Sequence, residues 1–443
     1  MTSTKLRLSI MMFLQFFMWG AWYATLGTYL GKAVSADGVR LFSDPFIGDA
    51  YGTSAIAAII APFLVGLIAD RYFAAERVLC VLHVIGAGTL WMASQSLTPT
   101  MFYMYVLAHF LCFMPTLSVA NSLTMKNLAD PGKEFASIRV LGTIGWIVAG
   151  LMIGSLVLYN GQLMALPFEF YGKDRPAEYQ SIEPTAYPLM IAAISELVLA
   201  FFCLFLPHTP PSAAGQKVTI RDILGLDAIA IIKEPSVLVF VISSVLICIP
   251  LQFYYGLANP FMNEIGISSP ASKMTLGQGS EIFFLLLLPF FFKTVGVRWI
   301  LLVGMMAWVA RYTAFAYGDA GSKQYLIYIG ILLHGVCYDF FFVAGQVYMD
   351  SKAPAHLRNS VQGFLTFLTY GLGMFAGSVM LGRVLEHYAT PDAAIKHDWT
   401  SVWLVPAGLA AAVLVFFALA FREEKAPVPM ELTTEGGAEP VPA

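Results

Sequence analysis

The chain has 443 residues, 58% of them hydrophobic and 12% charged, with a mean hydropathy of +0.72 and a formal net charge of −3. Soluble domains run at roughly 45–50% apolar and about 25% charged, so a soluble globular protein is excluded, and no basic excess points to nucleic acid. The five cysteines, Cys80, Cys112, Cys203, Cys248 and Cys337, sit in apolar runs without paired spacing, which implies neither a disulfide framework nor a zinc site.

Twelve apolar segments are long enough to cross a bilayer as helices: 8–31, 51–69, 77–95, 101–123, 137–159, 188–207, 236–259, 273–292, 299–317, 325–349, 360–382 and 402–421. The first follows Lys5 and Arg7 and is too long for the apolar core of a signal peptide, so it reads as a retained span. Of 25 Lys and Arg residues, 15 fall in the termini and in the connections on their side, and 7 on the other side, with Arg139, Arg311 and Arg383 set aside in spans. That imbalance places both termini in the cytoplasm. The longest connection opens with Pro210-Pro211 and becomes periodic from Thr219 to Lys233, which predicts a helix lying on the cytoplasmic face. It divides the chain into a six-helix bundle over 1–207, a linker over 208–235 and a second six-helix bundle over 236–421. The Pro-, Glu- and Gly-rich tail over 422–443 is expected to be disordered. Short echoes between the halves (Arg139-Val-Leu-Gly142 with Ser360-Val-Gln-Gly363, Pro62-Phe63 with Pro289-Phe290) fit two related bundles rocking about a central site.

Polar groups inside these spans locate that site. Glu281 lies well inside the eighth span, where an acidic side chain costs about 2.5–3.5 kcal/mol unless it faces a cavity or a partner. Gln278 precedes it on the same face, with Gly277 and Gly279 expected to leave room. Gln15, Trp19 and Trp22 share a face of the first span, and Arg139, Thr143 and Trp146 a face of the fifth. The seventh span carries a stripe of Gln252, Tyr255 and Asn259, with Pro250, Gly256 and Pro260 expected to loosen the helix around a cavity. In the tenth span His334 and Tyr338 share one face and Asp339 and Gln346 its neighbour. Arg311, at similar depth in the ninth, is weighed as a structural ion-pair partner for Asp339. Glu196 has no evident partner. Amides, hydroxyls, aromatic faces and a few carboxylates suit an uncharged polar solute moved with protons. No phosphate-binding Gly-rich loop or metalloprotease motif is present, so neither cofactor nor metal is expected and the chain is not read as an enzyme.

Gly66-Leu-Ile-Ala-Asp70-Arg71 resembles the conformational loop of the major facilitator superfamily. The ordered set Phe16–Trp22, Cys112–Thr116, Ile138–Trp146, Leu224–Ala228, Gln278–Phe283, Arg311–Gly318 and Tyr338–Phe341 is similar to the bacterial nucleoside:proton symporter family over nearly the whole chain. The resemblance implies an all-α, twelve-helix major facilitator fold in a bacterial inner membrane, importing nucleosides with protons. By position it places Arg139, Thr143, Gln252, Gln278 and Glu281 in the substrate site, with Asp339 beside them as a second coupling candidate. Trp146, Tyr255, His334 and Tyr338 occupy family site positions where nucleoside-transporting members have Phe, Asn, Tyr and Phe. Trp146 and Tyr338 are expected to stack on the solute, Gln252 and Gln278 to orient it, and Glu281 to bind it and sense protonation. The partners expected are a nucleoside, protons and lipid, for a chain acting as a monomer. The rivals are the same fold carrying sugars or amphiphilic drugs, and a solute sensor that does not transport.

Overall fold

The computed structural model describes residues 3–35, 37–64, 72–170, 176–211, 229–354, 358–390 and 395–422. Each of the twelve expected spans corresponds to a helix or to two helical pieces. Among the described residues, nine helices are long and apolar enough to cross a membrane. The first span is instead broken by a turn at 21–25, between Ser3–Gly20 and Leu26–Lys32. The second, Asp44–Leu64, starts with polar turns, and the sixth, Tyr187–Cys203, has 17 residues. Gly66, Asp70 and Arg71 lie outside the described residues, as do most of the expected surface helix (only Ile229–Ile232 is described, as a helical turn) and almost all of the tail.

Spans one to six form one bundle and spans seven to twelve the other, meeting where the second packs on the eleventh, the fifth on the eighth and the first on the seventh. Small residues let these backbones approach, since in lipid packing rather than hydrophobicity joins helices. A Cβ on Gly145 would stand 2.2 Å from the Phe13 carbonyl oxygen, which fixes the fifth span against the first. The same device joins the bundles: a Cβ on Gly27 would meet the Gly256 carbonyl oxygen at 2.4 Å, and one on Gly154 the Ser272 Oγ at 2.3 Å.

These crossings lie toward the end of the molecule remote from the chain termini, where polar contacts add a seal. Thr28 donates to Asn259 Oδ1 (2.5 Å), Asn259 donates to Glu183 (2.8 Å), and the backbone N–H of Ala271 donates to the same carboxylate (3.3 Å). His397 links Glu264 (2.9 Å) of its own bundle to Asp44 (3.4 Å) of the other. At the terminal end Lys5 pairs with Glu134 and His208 with Glu76 on the first bundle, and Lys352 with Glu234 on the second.

Three local features depart from the expectation. The seventh span is one unbroken helix, Pro235–Glu264, despite Pro250 and Pro260, and the Tyr312 hydroxyl donates to the Pro250 carbonyl. The tenth and eleventh spans each contain a π-helical stretch, Tyr338–Val343 and Phe367–Gly373, and such bulges rotate side chains relative to a plain α-helix. The fifth span stops as a helix at Ser155, four residues short of its expected end, and those four residues with the connection beyond fold into a sheet of β1 (Leu156–Tyr159), β2 (Gln162–Ala165) and β3 (Gln180–Ser181), in the order β2-β1-β3. Its tight hairpin turns on Asn160 and Gly161, with φ of 49° and 77°, the two left-handed positions that an Asn-Gly pair supplies at least cost.

Candidate functional site

A narrow cavity lies between the bundles, with Gly20 and Tyr23 of the first span, Trp146 of the fifth, Tyr254 and Tyr255 of the seventh and Gln278 of the eighth among its walls. Trp146, Tyr255 and Gln278 were expected there. Trp146 stands edge-on to Trp19 (5.4 Å, 81°), and a Cβ on Gly20 would meet it at 3.0 Å, so the glycine makes the place for the indole. Gln278 is half-buried and its amide oxygen has no hydrogen-bond partner within the protein. Of its flanking glycines only Gly279 faces open space; Gly277 instead packs on the tenth span, where a Cβ would meet His334 Cβ at 3.1 Å.

Arg139 is half-buried on the fifth span, with its guanidinium over the Phe16 ring at 4.1 Å. Gly142 leaves the space for it, since a Cβ there would meet Phe16 at 2.7 Å and Arg139 Nη1 at 2.8 Å. Thr143, one turn on, is also half-buried. Across from this face Glu281 keeps its side chain 23% exposed, within electrostatic range of Arg139 and 3.7 Å from His334 Nε2. The carboxylate therefore looks into the space between the bundles, between a cation and an imidazole.

The tenth and eighth spans lie unusually close here. A Cβ on Gly335 would fall 2.5 Å from the Ser280 backbone, and Ser280 Oγ donates to the Leu332 carbonyl at 2.5 Å. His334 consequently sits in an aromatic ladder, stacked on Tyr254 (5.2 Å, 27°) and on Tyr338 (5.8 Å, 28°). The Tyr338 hydroxyl shares a hydrogen bond with Tyr370 of the eleventh span at 3.0 Å. Gln252 is fully buried beside Gly377, with the Tyr23 hydroxyl near its amide, but neither amide atom makes a hydrogen bond of ordinary geometry. Asp339 is also fully buried, with both carboxylate oxygens unpartnered and Glu281 within electrostatic range. Buried polar groups are normally bonded, so the unused hydrogen-bonding capacity of Gln252, Gln278 and Asp339 sets them apart from the polar groups of the surrounding core.

Several expectations are corrected. Arg311 does not pair with Asp339: it donates to His334 Nδ1 at 3.1 Å and lies over the Tyr254 ring at 3.3 Å. Asn259 belongs to the seal rather than to the cavity stripe. Glu196 has two partners, His83 Nδ1 (3.1 Å) and His109 Nδ1 (3.4 Å), all three fully buried inside the first bundle. Gln15 completes that network: its amide nitrogen donates to Thr116 (2.7 Å) and its oxygen meets His83 Nε2 at 3.0 Å. A Cβ on Gly86 would stand 2.5 Å from the Glu196 carboxylate, which explains the glycine opposite it. Trp22 needed no correction: its packing against His109 and Phe110 is the ordinary core role open to an aromatic on that face. Sequence reading missed Tyr23, Tyr254 and Tyr370, which nothing distinguished from ordinary core aromatics.

The whole chain has known relatives. The profile described as nucleoside H+ symporter matches residues 2–426. The chain is 40% identical to YegT of Escherichia coli (strain K12), covering 95% of this chain and 94% of that protein. It is 30% identical to the xanthosine permease of the same organism, covering 95% and 96%. It superposes on the crystal structure of the nucleoside transporter NupG with a TM-score of 0.80 at 30% identity, covering 96% of this chain and all of that one. The fold is thus that of a multi-pass major facilitator transporter, not an enzyme, and the chain belongs to the nucleoside:proton symporter family.

Proposed function

We propose that the protein imports a nucleoside together with protons by alternating access, across a bacterial inner membrane with both termini in the cytoplasm. The observation that carries this reading is the Glu281 carboxylate facing the space between the bundles, opposite Arg139 and beside unpartnered amides and stacked aromatics. A carboxylate in low dielectric can hold or release a proton depending on what occupies the space beside it. Glu281 then hydrogen-bonds the solute and senses protonation, Arg139 and Thr143 contact sugar or base, and Gln252 and Gln278 orient it. Trp146 and Tyr338 stack on the base, Tyr255 and His334 complete the wall, and Asp339 is the second proton site. With its far end sealed by contacts between the bundles, the chain holds a cavity turned toward the cytoplasm. Trp146 in the cavity wall and the relatives named for nucleosides favour a nucleoside over a free sugar.

The test is uptake of labelled nucleoside into proteoliposomes under an imposed pH gradient, with uridine, adenosine and ribose as competitors. Wild type accumulates label against its gradient, and Glu281→Gln loses accumulation while keeping exchange. Accumulation unchanged in the variant removes Glu281 from coupling. Binding without accumulation in wild type would make the protein a sensor.

A further inference from the structure

We propose that Arg311 and His334 form a positioning pair for Glu281: Arg311 fixes which nitrogen of His334 carries the proton, and His334 thereby presents an N–H to the carboxylate. The inference rests on the reading of Glu281 as the coupling group.

A guanidinium has donors only, so the 3.1 Å contact from Arg311 Nη1 makes His334 Nδ1 an acceptor. The imidazole is therefore neutral with its proton on Nε2, the nitrogen 3.7 Å from Glu281 Oε2. Each part of this arrangement is held in place. Arg311 lies over Tyr254 at 3.3 Å, with Trp308 and Phe315 at 5.5 and 5.8 Å, a desolvated cation–π site. His334 is clasped between Tyr254 and Tyr338, and Gly277 and Gly335 set the distance between its helix and that of Glu281. The groups around Glu281 are Arg139 of the fifth span, Tyr254 and Tyr255 of the seventh, and Tyr338 and Asp339 of the tenth. Arg311 faces Tyr254, Tyr312 and Cys337 besides His334.

At 3.7 Å the Nε2–H is too far for a full hydrogen bond, so the carboxylate stays free to take a proton or a solute hydroxyl. It is offered a donor without a second cation beside it. Without the guanidinium, both ring nitrogens can carry protons, and the resulting imidazolium competes with protonation of Glu281. That adds His334 to the groups whose titration is coupled to that of Glu281.

Two measurements test this. The first is ¹⁵N chemical shifts of labelled His334 in purified wild-type protein, which identify the tautomer without any transport step. The Nε2–H form is expected at neutral pH, and Nδ1–H or an imidazolium there overturns the proposal. The second is the pH profile of nucleoside uptake in proteoliposomes. Arg311→Met moves the half-maximal pH acid by about one unit, the lower end of what an adjacent opposite charge does to a carboxylate. Adding His334→Gln to that variant restores the wild-type midpoint, and Arg311→Lys, which keeps a donor-only cation opposite Nδ1, leaves it in place. A guanidinium serving only as packing would lower yield without moving the midpoint, and an unmoved midpoint in folded Arg311→Met overturns the proposal. Wild type that takes up no nucleoside refutes the proposed function while leaving the tautomer measurement standing.

Discussion

The seal between the bundles makes Gly48→Ala a quantitative test of alternating access in this chain. A Cβ on Gly48 would stand 2.2 Å from the Ser378 carbonyl oxygen and 3.0 Å from the Gly382 nitrogen. Carbon–oxygen contacts are comfortable at roughly 3.3–3.6 Å, so the second and eleventh spans must part by about 1 Å. Both surfaces are helix backbone, which cannot yield as a flexible side chain would. Overpacking of this kind costs about 1–3 kcal/mol, and the cost is felt only while the far end is closed. It therefore passes into the conformational equilibrium as a shift of about 5- to 150-fold toward the state with that end open. The assay is pulsed electron–electron spin resonance between labels at Val39 and Ser322, exposed positions of opposite bundles at the sealed end. The longer-distance population is expected to grow severalfold in the variant. A distance distribution superimposable on wild type, in a variant that is folded and binds substrate, would refute the account of how the bundles are held.

Two other consequences concern buried charge. The His397 imidazole loses some proton affinity to burial, but Asp44 and Glu264 outweigh that and raise its pKa from 6.5 to about 9. A group with a raised folded-state pKa contributes stability that is complete below about 6.5 and lost as pH climbs through about 9. The difference in thermal stability between wild type and His397→Gln should therefore be largest near pH 6 and shrink by pH 9.5; a constant difference would show that the charge on His397 is not what holds the seal. In the first bundle, Glu196→Ala removes the shared partner of His83 and His109, and breaking such a buried pair costs about 3–5 kcal/mol. Melting in detergent should fall markedly while any surviving protein keeps its nucleoside affinity, since these side chains do not line the cavity. A loss below about 1 kcal/mol would mean that the network carries no net stability.

The span count was legible because helices in lipid must be apolar along their whole length and satisfy their own backbone. Glu281, Gln278 and Arg139 were legible for the same reason: a polar group in such a helix has to face something. What it faces was not legible. At similar depth Arg311 and Asp339 made a sensible ion pair on paper, yet Arg311 turns to His334 and Tyr254 and leaves Asp339 unpartnered. Glu196 seemed partnerless because His83 and His109 are more than eighty residues away in the chain. The Asn160-Gly161 hairpin was readable from its turn chemistry alone, and the hydrophobic-span reading passed over it.

By itself the amino-acid order determined a bilayer-spanning helical chain of two six-span halves with costly polar groups at mid-depth, because those properties are local or cumulative along the sequence. Only the tertiary structure decided which of those groups share a cavity, which bond each other inside one bundle, and which end is closed. Those outcomes depend on helix rotation, on π-helical offsets and on glycine-to-backbone approaches of a few ångströms between segments far apart in sequence.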